Sequence, residues 1–436
     1  MDDNRCSRTD SNTKLYLFNV GDKIDTNYTI IAQIGRGGYG EIYKARRLSD
    51  GLVVAVKVEK SNKPGNLVQE IRVLKVLQDC GARHIPKLLA AGQHLGISYM
   101  VMELLGQNLS THRNHRPSLI FTLRCTCIIA ILMLKAIKQV HDYGFLHRDI
   151  KPTNFVIGSF RDPRELFIID FGLSKQYVKP DGTLIAKRPR SRWVGSWRYM
   201  SPNVHLQKDH GRRDDMWGFL YVIIELYLGT LPWKSIKGPK NVDRIRDIKL
   251  AYMNERLTCN LPDEFTLILN HIRTLSFESR PNYRYLHTLL MTMYLREGGT
   301  KDSARYDWED DVLYSKLYAP SGGLRISISS ITSDETVSKE QAMRAIDINE
   351  NMSLVQDCKL TSNVSLQSTT DVEQSEGVFV DTQICLQQDE LDGNRGYEDN
   401  RPNVQERQFN GNATKKLSRY KRWKSKLKHH ITCHVQ

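Results

Sequence analysis

The sequence lacks an apolar stretch that is long enough to cross a membrane. Its most apolar run, CTCIIAILML at 125–134, is bracketed by Arg124 and Lys135 and is too short for about 30 Å of hydrocarbon, so we expect a buried helix there and no transmembrane segment. The charged stretch MDDNRCSRTD at 1–10 lacks the apolar core of a signal peptide. The eight cysteines form no C-x-x-C pair, which excludes a dense disulfide framework and favours reduced thiols in a cytoplasmic or nuclear protein.

Acidic residues are fewer than basic ones, and the imbalance is uneven along the chain. The 63 Lys and Arg residues against 49 Asp and Glu residues give a net charge of +14. This excess favours attraction to phosphate, to acidic protein segments or to anionic surfaces, but it identifies no partner. Residues 333–400 are rich in Asp and Glu, whereas 175–198 and 413–436 are rich in Lys and Arg.

Three short motifs follow one another along the chain, and their order is more informative than any one of them. They are IGRGGYGEI at 34–42, HRDIKPTN at 147–154 and DFG at 170–172. A glycine-rich turn alone also opens dinucleotide-binding folds, but those need a strand followed by a helix, and here the turn lies between two strand-like segments. The order therefore predicts a domain that transfers the γ-phosphate of ATP, with the glycine turn covering the phosphates.

The residues expected to bind ATP lie in the first hundred positions. Residues 28–60 alternate apolar and polar side chains between turn signals, which predicts antiparallel strands. Lys57 lies on one such strand and can reach the phosphates if a carboxylate holds it, and Glu70, on a helix-like segment, is the natural holder. Either residue taken alone would be read as a solvated surface side chain, and Met102 as a core methionine. The predicted ATP-binding residues are Ile34, Gly35, Gly37, Gly40, Ile42, Ala55, Lys57, Glu70, Met102, Glu103 and Leu105, with the last two offering backbone hydrogen bonds to adenine.

The second and third motifs supply the candidate catalytic groups. Asp149 is predicted to orient the attacking hydroxyl and accept its proton, and Lys151 to steady the transferred phosphate. Asn154 and Asp170 offer hard oxygen ligands of the kind that Mg²⁺ prefers. The predicted catalytic residues are thus Asp149, Lys151 and Asn154, the metal ligands are Asn154 and Asp170, and the cofactors are ATP and Mg²⁺.

Beyond these motifs, the chain resembles the casein kinase I superfamily of protein kinases, and within it the tau-tubulin kinase-like branch. The strings that carry the resemblance are MELLGQNL at 102–109, GSWRYMSPN at 195–203, RRDDMWGFLYV at 212–222, LPWKSIK at 231–237, RPNYRYL at 280–286 and YDWE at 306–309.

The resemblance implies an α+β, two-lobed protein kinase fold, with a small antiparallel β-sheet lobe that has one main helix and a large, mainly helical lobe. Lys151 implies a serine/threonine kinase, and Asp215 matches the aspartate that props the catalytic loop. Leu220 stands where relatives carry a glycine. Trp193 and Trp197 add bulk to the activation segment, which comprises residues 170–202.

A run of cations in the activation segment has two interpretations. A run of charge is commonly a solvated face. The alternative is a site for an acidic or already phosphorylated substrate, which the resemblance to casein kinase I supports, because Arg side chains can grip phosphate through two hydrogen bonds. The predicted substrate anion site consists of Arg148, Arg198, Lys237 and Lys240.

Arg148 also raises the question of control by phosphorylation of the activation segment, for which Thr183, Ser191 and Ser196 are candidate acceptors. The resemblance implies no obligatory switch of this kind, because casein kinase I relatives are commonly active without it.

The motifs end near residue 309, and the composition changes there. We predict a flexible N-terminal segment at 1–27, a protein kinase domain at 28–310, a disordered acidic Ser/Thr/Gln-rich tail at 311–412 and a basic amphipathic segment at 413–436. For the last segment, an anionic membrane or calmodulin-like partner, a nuclear-import or nucleic-acid role and a merely solvated tail stay open.

Two further classes compete with an active enzyme. One is a catalytically weak kinase-like scaffold that binds acidic partners, and the other is a nucleic-acid-binding protein, which rests on charge alone. The leading interpretation is a monomeric serine/threonine protein kinase whose substrates are acidic or phosphoprimed proteins, cytoskeletal proteins among the candidates.

Overall fold

The computed structural model of the chain describes residues 17–37, 40–59, 66–159, 163–236, 239–300 and 304–309. The segments predicted at 311–412 and 413–436 lie outside these ranges, as does Lys237 of the predicted anion site.

An antiparallel sheet and one main helix form the small lobe, as the alternation of side chains predicts. Its strands are β1 (Lys23–Ile24), β2 (Tyr28–Gly37), β3 (Gly40–Arg47), β4 (Val53–Val58), β5 (Leu88–His94) and β6 (Ile97–Glu103). They are hydrogen-bonded in the order β1-β2-β3-β4-β6-β5. Helix α1 (Asn66–Asp79) follows β4 in the sequence and presents Leu67, Leu74 and Leu77 to the core.

The two faces of this sheet contact different parts of the molecule. Side chains alternate along a strand, so Val54, Val56 and Val58 of β4 point to one face and Ala55 and Lys57 to the other. The three valines are fully buried in an apolar cluster above the sheet. The opposite face looks toward α1 and the large lobe, which places Lys57 between the lobes.

The folded unit begins before the boundary predicted at residue 28. Phe18 and Ile24 are buried in the cluster above the sheet, and β1 pairs with β2. The backbone N–H of Phe18 donates to the hydroxyl of Tyr43 (3.1 Å). Residues 17–27 thus depart from the flexible segment predicted at 1–27, because they complete the apolar cover of the sheet.

The large lobe is mainly helical. Its helices are α2 (Leu109–Asn114), α3 (Leu123–Asp142), α4 (Pro202–His205), α5 (Arg212–Leu228), α6 (Val242–Ala251), α7 (Asp263–Thr274) and α8 (Tyr283–Arg296). The apolar run at 125–134 lies in α3, which packs against α5 and α8. No helix in the described part of the chain is both long and apolar enough to cross a membrane.

Two short antiparallel strand pairs connect the helices and carry the motif residues. One pair joins β7 (Phe145–Leu146) to β10 (Lys175–Gln176), and the other joins β8 (Phe155–Ile157) to β9 (Leu166–Ile168). The residues 147–154 therefore leave from β7 and enter β8, while 170–172 follow β9. This topology brings the second and third motifs side by side.

The last described segment closes the large lobe. Trp308 stacks on His112 at 4.1 Å between ring centroids and on Tyr306 at 4.4 Å. Asp307 accepts hydrogen bonds from the N–H and hydroxyl of Thr122, the N-cap of α3. The domain end predicted at 310 falls directly after these contacts.

Candidate active site

The structure brings Lys57, Glu70 and Asp170 together between the lobes. The Lys57 ammonium lies 2.7 Å from Glu70 Oε2 and 3.0 Å from Asp170 Oδ1. Glu70 reaches it because α1 turns its buried face toward β4, and Asp170 because it follows β9. Residues that are 13 and 113 positions away in sequence therefore share one cation.

Charge outweighs burial for Lys57 and Asp170, whereas burial outweighs charge for Glu70 and raises its pKa to about 7. Burial alone would lower the pKa of Lys57, but the carboxylates of Asp170 and Glu70 outweigh it and raise that pKa. Burial would likewise raise the pKa of Asp170, yet Lys57 and Lys151 lower it to about 2. Both Lys57 and Asp170 are therefore charged at neutral pH, as a lysine that meets phosphate and a carboxylate that meets a cation need to be.

Asp149 lies at the centre of a second cluster. Its Oδ2 is 2.8 Å from the ammonium of Lys151, and its Oδ1 accepts hydrogen bonds from the N–H (2.9 Å) and the hydroxyl (2.8 Å) of Ser196. Asn154 donates its amide to the Asp149 carbonyl at 2.9 Å. The three predicted catalytic residues thus lie in direct contact, and Ser196 of the activation segment joins them.

Asp215 fixes the backbone of the catalytic loop, the segment at 147–154. Its carboxylate, buried on α5, accepts the backbone N–H groups of His147 and Arg148, both at 2.8 Å, and lies 2.9 Å from His141 Nε2. Arg148 has a left-handed φ of +69°, a conformation that costs roughly 1–3 kcal/mol in a non-glycine residue. Asp215 stabilises the strained turn that presents Asp149.

The activation segment approaches this loop too closely for a side chain. Gly195 has φ of +99°, and a Cβ added there would lie 2.4 Å from the Arg148 carbonyl oxygen. Ser196 follows directly and reaches Asp149. Only glycine permits this approach.

Helix α5 makes a similar close approach at Gly218. A Cβ at this position would lie 2.8 Å from Cβ of Ile150. Leu220, two positions further along α5, is fully buried in the core. The small residue that lets α5 pack under the catalytic loop is therefore Gly218.

Asp170 is held in a second strained turn. Its φ is +68°, and the Phe171 side chain that follows is fully buried in the core that includes α1. His147 Nε2 lies 3.0 Å from the Ile169 carbonyl, and its ring packs edge-on to Phe171. Packing of Phe171 thus keeps Asp170 turned toward Lys57.

The predicted nucleotide-contacting residues share the lower face of the sheet. Ala55 and Lys57 are two positions apart on β4 and therefore point to the same face. Ile42 on β3 lies opposite Lys57, and Met102 on β6 lies opposite Ala55. Opposite residues of an antiparallel pair point to the same face. The sheet therefore offers an apolar ceiling beside the Lys57 ammonium, as a purine next to its phosphates requires.

The glycine turn and the connecting segment flank this ceiling. Gly35 pairs with Ile42 and Gly37 with Gly40, and Ile34 is half exposed. A Cβ on Gly40 would lie 2.0 Å from the Val58 carbonyl, so this glycine also serves strand packing.

Part of the connecting backbone is engaged within the fold. The Glu103 N–H donates to Lys87 and the Gly106 N–H to Ile157. The N–H of Glu103 is therefore not a donor for adenine, whereas Leu105 lies between the two engaged amides.

The residues predicted to hold Mg²⁺ fit that ion. Since Asn154 donates its amide nitrogen to Asp149, its amide oxygen is the atom left for a ligand, and the Asn154 carbonyl accepts the N–H of Ile169, directly before Asp170. No group of three or more His, Cys, Asp or Glu side chains that could hold a metal by itself occurs among the described residues. Mg²⁺ suits such a site, because it takes one or two carboxylates and completes its shell with phosphate oxygens and water.

The three described residues of the predicted anion site, Arg148, Arg198 and Lys240, differ in their surroundings. The Arg148 side chain donates to the Leu173 carbonyl at 2.6 Å, and burial lowers its pKa to about 10. Arg198 instead lies 3.8 Å from Glu225 on α5. Lys240 is an exposed residue of the short 3₁₀ helix Pro239–Asn241. Arg148 and Arg198 therefore have different partners, because the catalytic-loop turn brings the Arg148 side chain to Leu173, and their joint role in an anion site stays a prediction.

Glu225 lies close to three cations, and no sequence motif indicated that these residues would meet. This fully buried carboxylate lies 3.1 Å from Arg113, 2.9 Å from Lys234 and 3.8 Å from Arg198, and Tyr199 donates its hydroxyl to it. Burial would raise the pKa of Glu225, but the three cations outweigh it and lower that pKa. We call these four charged residues the Glu225 cluster.

Asp209 contacts two other cations, both on the activation segment. Its fully buried carboxylate accepts hydrogen bonds from Lys175 (2.9 and 3.1 Å) and from the guanidinium of Arg188 (2.7 and 3.2 Å). Ser191, a predicted phosphate acceptor, is itself buried and contacts Arg188. The sequence carried no signal for this group beyond a lone aspartate after α4.

Similarity to known proteins agrees with this geometry. A family model described as "Protein kinase domain" matches residues 28–294, which contain every predicted ATP-binding, catalytic and metal-binding position. A protein of Dictyostelium discoideum described as a probable serine/threonine-protein kinase is 38% identical over 294 residues. The aligned region covers 67% of this chain and 58% of that protein, so the chain spans less than two thirds of the relative's length.

Proposed function

Because the chain belongs to the protein kinase domain family, we propose that it is a catalytically active serine/threonine kinase that transfers the γ-phosphate of ATP to hydroxyls of proteins. One observation supports activity above all others. Lys57 contacts Glu70 and Asp170 simultaneously, Asp149 contacts Lys151, and the charge of Lys151 helps to lower the pKa of Asp170, which supports one site made of both clusters.

The residues have distinct tasks in this proposal. Asp149 orients the acceptor hydroxyl and takes its proton, and Lys57 and Lys151 neutralise phosphate charge. Asn154 and Asp170 would hold Mg²⁺, which supplies further neutralisation when bound. Since the transition state of phosphoryl transfer is loose, positioning and charge neutralisation account for most of the rate, and both depend on side chains that are already in place.

Asp170→Asn tests this proposal against a kinase-shaped scaffold. The variant keeps the size of the side chain but removes the charge that meets Lys57 and the metal, so ATP-dependent phosphorylation should fall by at least about 100-fold. Asp247→Asn, which alters an exposed carboxylate on α6, is the matched control and should keep the wild-type rate. Equal rates for wild type and Asp170→Asn would favour the scaffold.

We further propose that acidic or phosphoprimed substrates are preferred, and that the Glu225 cluster is the reason. Three cations surround one carboxylate, which leaves an excess of positive charge. Arg198 and Lys234 remain about 26% and 33% exposed. Arg198 is two residues from Ser196, which contacts Asp149, so this charge lies beside the acceptor position.

Arg198→Ala tests the preference. Charge-assisted hydrogen bonds contribute about 1.5–3 kcal/mol each, so phosphorylation of a primed peptide should fall by about 10- to 100-fold, and that of the unprimed peptide by much less. Arg190→Ala is the control, because Arg190 lies exposed on the same segment and donates to Gln207. Equal losses on both peptides would remove the preference. Assignment to the casein kinase I superfamily and its tau-tubulin kinase-like branch is a proposal of the same kind, supported by the strings at 195–203 and 212–222.

A further inference from the structure

Lys249 is a buried lysine whose hydrogen-bond partners among the described residues include no carboxylate. It lies on α6 and is 1% exposed. Its ammonium donates to the carbonyls of Trp197 and Met200, both at 2.6 Å, and lies 3.2 Å from His205 Nε2. Burial lowers its pKa well below the usual value. Isolated buried charges are costly, so this site calls for an explanation beyond stability.

Aromatic rings complete the site around the ammonium. It lies 5.2 Å from the ring centroid of Tyr221 and 5.0 Å from that of Trp233, distances typical of cation–π contacts. Trp233 also donates its indole N–H to the carbonyl of Arg198 at 2.7 Å. Lys249 and Trp233 therefore donate hydrogen bonds to three backbone carbonyls of the segment 197–200.

This segment is the part of the chain that bears the proposed substrate contacts. Its Arg198 belongs to the Glu225 cluster, and Ser196, directly before it, contacts Asp149. With the carbonyls of Trp197 and Met200 bound to Lys249 of α6 and that of Arg198 bound to Trp233, the Arg198 side chain is left to project toward Glu225. An error of about 1 Å in such a segment can cost on the order of 100-fold in rate.

We infer that Lys249 is a positioning residue for substrate recognition, which acts through the carbonyls of Trp197 and Met200 to fix Arg198 beside the acceptor position. The inference rests on the proposed function. Lys249 touches neither substrate nor nucleotide in this account. Its ammonium replaces the backbone donors that an irregular segment lacks.

The experiment compares Lys249→Met with Lys208→Met, which alters an exposed lysine just after α4. Lys249→Met keeps the length and apolar body of the side chain and removes the donors. The KM for a protein or peptide substrate should rise by about 10- to 100-fold, with the KM for ATP within about twofold of wild type. Lys208→Met should leave both KM values unchanged.

Two further variants separate positioning from a structural role. Trp233→Phe keeps the ring under the ammonium but removes the donor to Arg198, and it should raise the peptide KM in the same direction. In the double variant of Lys249→Met with Arg198→Ala, the loss should be smaller than the product of the two single losses, because both act on one contact.

The outcomes are decisive. Wild-type peptide KM in both Lys249→Met and Trp233→Phe, or equal rises in the KM for peptide and for ATP, would overturn the inference and leave the proposed function standing. Multiplicative losses in the double variant would overturn it as well. A wild-type protein that transfers no phosphate to any peptide would remove the proposed function and this inference together.

Discussion

Asp209→Asn should disable the activation segment without any change in side-chain volume. The carboxylate is fully buried and also accepts the backbone N–H of Arg188 at 3.1 Å. Burial alone would raise its pKa, but the hydrogen bonds from Arg188 and Lys175 outweigh burial and lower that pKa, so the group is ionised. An amide in its place would leave Lys175 and Arg188 facing each other, close to Arg148, without a counter-charge.

The cost follows from the exposure of the partners. Breaking a buried ion pair by removing one member costs about 3–5 kcal/mol. Arg188 is half exposed and water can solvate it once it is released, so we expect about 2–3 kcal/mol for Asp209→Asn. Since Arg188 and Lys175 lie on the segment that leads from Asp170 to Ser196, phosphoryl transfer should fall with stability.

The assay is urea denaturation together with phosphorylation of one peptide. Asp243→Asn is the control, because Asp243 is 76% exposed and its pair with Arg246 should be worth at most about 0.5 kcal/mol.

The same reasoning predicts that the wild type needs no phosphate on its activation segment. Asp209 already supplies a fixed negative charge to Lys175 and Arg188, so phosphatase treatment should leave the rate unchanged. The reasoning is refuted if Asp209→Asn matches the wild type in both assays, or if phosphatase treatment inactivates the wild type.

Two other perturbations have calculable effects. Burial lowers the pKa of His112 to about 4 and of His205 and His210 to about 3, so each is neutral when folded and takes up a proton on unfolding below about pH 6.5. As the pH falls from 7 to 5.5, the three histidines should together cost about 4 kcal/mol of stability. Glu70, whose pKa burial raises to about 7, binds its proton more tightly when folded and should offset about 1.5 kcal/mol of this loss. The expected net loss is about 2 kcal/mol, and a flat urea midpoint over this range would contradict the burial argument. Gly195→Ala should abolish activity and cost about 3 kcal/mol or more, because the new Cβ would meet a catalytic-loop carbonyl, whereas Gly298→Ala, with similar φ but open space around it, should cost only about 1 kcal/mol and stay active.

Local patterns were sufficient for the parts of the molecule that depend on neighbours in sequence. The alternation at 28–60 predicted the strand that carries Lys57, and the order of the motifs predicted that Lys57, Glu70 and Asp170 belong to one ATP site. The helical periodicity of α1 placed Glu70 beside the buried stripe. These features depend on periods of two and 3.6 residues, which are visible in any short window.

Other features depend on contacts between residues that are far apart in the sequence. Lys249 has the spacing of a surface lysine on an amphipathic helix, and its burial becomes evident only when Trp233 and the activation segment are in place. Asp209 meets Lys175 across 34 residues and Glu225 meets Arg113 from another helix. The hydrogen bond from the Arg148 side chain to the Leu173 carbonyl, 25 residues away, likewise has no signal in the local sequence.

The crossing of α5 beneath the catalytic loop has a consequence for comparing this chain with its relatives. A departure from a familiar string looks like damage when sequences are aligned letter by letter. In space, the need for a bare backbone on α5 is tied to one contact, that of Gly218 with Ile150. Judgements that an enzyme is degenerate should accordingly be made on distances between backbones, since a motif can lose a letter and keep its geometry.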